Sequence, residues 1–103
     1  MRRVVQESLA AGDLRDQIDY LASNDTAVAL RFIDAVEAAF QFLRDNPETG
    51  FLWGFETERL RDVRVKVVPG FPNHLIFFRT TDTSVRVLRV LHASRDVSRE
   101  FQK

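Results

Sequence analysis

An α+β fold in the order β-α-α-β-β-β-α is predicted by three stretches of the 103-residue sequence. Residues 9–45 carry apolar side chains at helical spacing, with one break at Asn24-Asp25-Thr26. Residues 74–79 and 85–91 are two apolar runs of strand length, separated by the polar turn Thr80-Thr81-Asp82-Thr83-Ser84. Ahead of them, Val63, Val65 and Val67 alternate with Arg64, Lys66 and Val68, the period of a strand with one buried face and one basic face. Helices grouped before a meander place an antiparallel helical hairpin on one face of a mainly antiparallel sheet.

Each element has a local reason. Residues 3–6 form a short strand-like start, fit for an edge or neighbouring strand. Ser8 is a candidate N-cap for a first helix at 9–23. There Leu14, Ile18 and Leu21 make one apolar stripe, with Asp13, Arg15, Asp16 and Asp19 off it. Tyr20, the only tyrosine, is expected to pack on that helix. Asn24, Asp25 or Thr26 can cap a second helix, whose core positions are Val28, Phe32, Val36, Phe40 and Leu43. Asn46-Pro47 ends it, because proline disfavours helical geometry in the residue before it.

Residues 48–59 have no period and carry Phe51, Trp53 and Phe55. Leaving such side chains in water forfeits about 1.5–3 kcal/mol each, so the loop is expected against the core, with a ligand-binding aromatic patch as the alternative. Pro69-Gly70 and Pro72-Asn73 turn the chain from the alternating strand into the hairpin. Both hairpin strands are apolar on both faces, which places them in the middle of a sheet. Asp96 or Ser98 caps a short C-terminal helix ending near Gln102, with Val97 and Phe101 on its packing face.

Length and composition restrict what this fold can do. At 45% hydrophobic, the chain is expected to form one domain over residues 1–103. No run of about 18 apolar residues and no leader pattern is present, so a soluble cytoplasmic protein is expected, with no membrane contact. With no cysteine and two histidines lacking ligand spacing, neither metal nor cofactor is expected. Net charge is zero, which argues against a dedicated nucleic-acid binder. The charge is divided, however: residues 1–50 hold five Lys/Arg against nine Asp/Glu, and residues 51–103 hold ten against six. That division is either the chance scatter of solvated charge or a basic half made to meet an acidic partner.

Several strings, in their order and spacing, resemble the RelE/ParE superfamily of bacterial type II toxins, and the ParE branch in particular. They are Asp13-Leu14 through Tyr20-Leu21, Arg31-Phe32 through Phe40 with Leu43, Asn46-Pro47-Glu48-Thr49-Gly50, Leu60-Arg61, Asn73-His74-Leu75-Ile76-Phe77-Phe78-Arg79, and Val87 to His92 with Arg95-Asp96. The resemblance implies a toxin that binds DNA gyrase and is neutralised by a cognate antitoxin in a hetero-oligomer, touching DNA only through that antitoxin. It also implies an enzyme-class alternative, the ribosome-dependent mRNA endoribonuclease of the RelE branch, whose candidate residues here are Arg64, Lys66, His92 and Arg95. A third reading is a non-toxic member that binds antitoxin as a co-repressor.

The residues favour a binder. An endoribonuclease needs a cluster of basic groups with an acid or base beside it, and the C-terminal helix offers Arg99 and Phe101 but no tyrosine. His92 and Arg95-Asp96 read first as a strand-to-helix joint. Arg64, Arg79, Arg89 and Arg95 are the candidate antitoxin- or target-binding residues, with Arg79 and Arg89 equally suited to bracing the sheet through carboxylates.

Overall fold

A computed structural model describes residues 2–102; the expected domain limits lie one residue beyond at each end. The elements are β1 (Arg3–Gln6), α1 (Ser8–Asn24), α2 (Thr26–Asp45), β2 (Phe51–Leu52), a 3-10 turn (Glu58–Leu60), β3 (Arg64–Val68), β4 (Phe71–Thr80), β5 (Ser84–His92) and α3 (Val97–Glu100). The sheet order is β1-β5-β4-β3-β2. Every pairing is antiparallel except β1 with β5. The α+β order and the central hairpin stand as predicted. No described helix is long and apolar enough to cross a membrane.

The helical hairpin has a one-residue joint. Asp25 closes α1, its N–H donating to the Leu21 carbonyl, and opens α2, its carboxylate accepting from the N–H groups of Ala27 and Val28. Ser8 is not the cap of α1. The N-cap position belongs to Glu7, which makes no side-chain cap because its carboxylate is held by Arg86 at 2.7 Å. Phe32, Val36, Ala39, Phe40 and Leu43 of α2 are buried against Ile76, Phe78, Val85, Val87 and Val90 of the sheet.

The opposite sheet face is also covered, which its alternating valines alone did not show. Val63, Val65, Phe77 and Leu91 pack under Leu60, Phe55, Val97 and Phe101, contributed by the loop before β3 and by α3. The basic residues Arg64 and Lys66 therefore lie on the helix side, where Lys66 Nζ sits 4.8 Å from the centroid of the Phe42 ring. The predicted alternation of faces holds, since Val68 joins Arg64 and Lys66 on the helix side; what differs is burial, because Val68 enters the helix-side core while Val67, beside a register shift, is exposed.

A second bulge matters more. Phe77 pairs with Arg89 and Phe78 with Val87, so Leu88 has no partner on β4. A strict period of two would put Arg89 on the same face as Val85 and Val87. The extra residue lets Val87 and Val90 both enter the helix-side core and turns Arg89 to the other face.

The aromatic loop is only partly tucked in. Phe55 packs on Phe101 and Trp53 on Phe77, at centroid distances of 4.8 and 5.2 Å. Phe51 and Leu52, on the short edge strand β2, stay more than half exposed. Gly50 makes this edge: its φ is +77°, and a Cβ there would lie 2.5 Å from the Val65 carbonyl oxygen. Tyr20 does not pack on its helix; it is 70% exposed. Asp96 caps α3, accepting from the Arg99 N–H, and the helix ends at Glu100, before a turn through Gln102.

Candidate functional site

The end of β5 is finished by side chains instead of by a strand. β1 pairs only with residues 84–87, and beyond Val87 the edge of β5 faces α1. Asp13 Oδ2 accepts from the Val90 N–H at 3.0 Å, and Gln17 Nε2 donates to the Val90 carbonyl at 2.6 Å. These two residues stand four apart on α1, so one helix face presents both. That spacing, off the apolar stripe, was the available sequence signal for a pair the sequence reading left unassigned.

Gln17 continues into a histidine pair. Its Oε1 accepts from His74 Nδ1 at 2.8 Å, and the His74 ring meets that of His92 edge-on across the β4–β5 pairing, centroids 5.3 Å apart. His92 Nδ1 accepts the Ser94 backbone N–H at 3.1 Å and lies 2.8 Å from Ser94 Oγ. Burial, and then the charge of His92, push the His74 pKa below its ordinary value. Phe32 and Phe71 pack around His74 at 4.8 and 6.1 Å. A cleft of about 630 Å³ opens beside the pair, bordered by Asp16, Tyr20 and Leu21 of α1 and by Leu91 and Arg95.

The structure disperses the predicted basic residues. Arg89 is buried, with its guanidinium on Asp13 through two bonds of 2.8 Å, on the Glu100 carbonyl at 2.8 Å and on the Glu100 carboxylate at 3.2 Å. Asp13 and Glu100 raise its pKa further against the opposing effect of burial. Arg79 holds Asp62 through two bonds of 3.0 and 2.9 Å and the Arg59 carbonyl at 2.6 Å. That contact keeps the Asp62 carboxyl below the usual carboxylate range. Arg95 is exposed, 3.7 Å from Glu100. Arg64 and Lys66 make no ion pair among the described residues.

Nor do Arg64 and Lys66 join His92. Arg64 stands opposite Phe78 and His92 opposite His74, four residues apart on β4, roughly 13 Å along the strand. Among the described residues no group of three or more His, Asp or Glu side chains could hold a metal ion.

Two further surfaces are open. One is a groove of about 330 Å³ on the face away from α2, with Leu9, Leu60, Leu88 and Phe101 in its wall. The other is the open side of β1. Arg3 donates to Thr83, just before β5, and Glu7 to Val87 of β5, so by parallel alternation the backbone groups of Val4 and Gln6 point outward. Beside that edge, Val4 and Phe40 line a second groove flanked by Arg2, Arg3 and Arg44.

The chain matches, over residues 4–97, the family model described as ParE toxin of type II toxin-antitoxin system, parDE. Its fold is similar to that of a solved structure described as the chromosomal ParDE TA system from P. aeruginosa. The two superpose with a TM-score of 0.73 at 18% identity, covering 91% of this chain and 98% of the other. No curated protein matches the sequence.

Proposed function

The chain belongs to the ParE toxin family of type II toxin-antitoxin systems, and from that premise we propose that it arrests growth in the cytoplasm by binding DNA gyrase until a cognate antitoxin occludes it. The observation that carries a binding action over mRNA cleavage is the dispersal of the basic residues. Arg79 and Arg89 are occupied by carboxylates, and Arg64 and Lys66 lie on a different part of the sheet from His92 and Arg95. Cleavage of a ribose-phosphate backbone requires such groups to converge on one phosphate.

In this reading the antitoxin lays a helix in the Leu9–Leu60–Leu88–Phe101 groove, adds a strand to the open edge of β1, and caps the toxin in a hetero-oligomer. Arg95 supplies a charged contact to it, Arg64, on the helix-side face of β3, is left to the target, and Arg79 and Arg89 brace the surface from within. Contact with DNA comes through the antitoxin alone, as expected of a chain with zero net charge.

The test is direct. Purified protein added to a gyrase supercoiling reaction is expected to inhibit it, and added to a translation reaction is expected to leave the mRNA uncut. Intact supercoiling together with mRNA cut within codons would replace this reading by the nuclease; no growth arrest at all would leave the co-repressor.

A further inference from the structure

The cleft beside the histidine pair has no part in the reading above. We propose that it receives one cationic side chain, an arginine or lysine presented by a partner protein, with Asp16 as counter-ion and the rings of Tyr20, His74 and His92 as walls. The inference stands independently of gyrase and of the antitoxin.

Charge comes first. Of the carboxylates bordering the cleft, Asp13 and Glu100 are engaged by the buried Arg89, and Arg95 lies 3.7 Å from Glu100. Asp16 makes no hydrogen bond or ion pair among the described residues. The surplus is therefore negative and located at Asp16, so an anionic ligand is disfavoured. A guanidinium or ammonium would complete the site.

Ring chemistry points the same way. Tyr20 stands four residues after Asp16, on the same helix face, and is held out in solvent with 70% of its surface exposed. A helix that merely needed a polar residue there would not require a large aromatic ring. The negative face of such a ring attracts a cation within about 6 Å. Across the cleft His74 donates its Nδ1 proton to Gln17, and His92 accepts at Nδ1 from the Ser94 N–H. Burial disfavours protonation of His74, so that ring is not made a competing cation. Leu21 and Leu91 then offer apolar contact to the aliphatic stem and to neighbouring residues.

The test uses the full chain and defined probes. N-acetyl-arginine amide is expected to shift the ring resonances of Tyr20, His74 and His92 saturably, with a Kd on the order of 10 mM, and N-acetyl-leucine amide is not. Asp16→Asn and Tyr20→Ala should each weaken binding severalfold without altering the fold, since both side chains are exposed. A leucine-arginine-leucine peptide with blocked ends should bind more tightly than the single amino-acid amide. Equal shifts with the leucine probe, no saturable shift, or unchanged binding in both variants would overturn the proposal. So would tighter binding of free arginine than of the peptide, which would make the occupant a metabolite.

Discussion

Asp13 binds Arg89 through two bonds of 2.8 Å while the same carboxylate takes the backbone N–H of the next residue, Val90, at 3.0 Å. One side chain thus neutralises a buried cation and completes a sheet edge, joining α1 to β5 across 76 residues of sequence. Removing it leaves the Val90 amide without its partner and the buried Arg89 with Glu100 alone. Asp13→Ala is expected to destabilise the protein by about 1–3 kcal/mol in urea unfolding, Glu100 still compensating the cation. Asp13→Leu with Arg89→Met also takes Arg89 from Glu100, which keeps Arg95 at 3.7 Å, and should still cost less than the sum of the single changes; an additive result would contradict the coupling.

Gln17 bridges the Val90 carbonyl and His74. Gln17→Leu keeps the volume but leaves both polar groups without their partner, which should cost about 1–3 kcal/mol. Gln17→Glu is expected to raise the His74 pKa, read from its ring resonances by NMR, because an acceptor becomes an anion.

Gly50 is confined by its positive φ and by the Val65 carbonyl. Gly50→Ala should lose about 1–3 kcal/mol and loosen β2 first, seen as faster hydrogen exchange at Phe51 and Leu52. An unchanged melting temperature would contradict the contact.

The depressed His74 pKa gives a pH dependence with a defined sign. The unfolded chain takes up the proton at a higher pH than the folded one, so stability falls as pH drops below about 6.5 and stops falling below the folded pKa. Denaturation midpoints measured from about pH 7.5 to 5 should follow this slope, and His74→Gln should flatten it. A slope of the opposite sign would mean that the folded state favours the charged ring.

Much of this architecture is written in the sequence because it depends on local rules. The stripe from Phe32 to Leu43, the caps around Asp25 and the stop at Asn46-Pro47 specify the hairpin, and runs apolar on both faces mark β4 and β5 as central. What escaped depends on register and distance. Nothing local announces that Leu88 bulges and so turns Arg89 from one face to the other, or that Val67 is left exposed while Val68 is buried. Tyr20 looked like a packing residue because aromatic rings usually are, and Phe51 and Leu52 stay exposed because Gly50 delivers the chain to an edge. The polar cluster had weaker signals still: Asp13 and Gln17 reach partners more than seventy residues away, and the face-to-edge meeting of His74 and His92 follows from pairing set by the distant turn at Thr81–Thr83.

The shared cap at Asp25 has a mechanical consequence. With one residue between them, α1 and α2 share their joint: the Asp25 N–H closes the first and its carboxylate opens the second, so fraying there loosens both ends together. Inserting two glycines after Asp25 would part the two caps and leave the helices joined only through the core they share around Leu14 and Phe32.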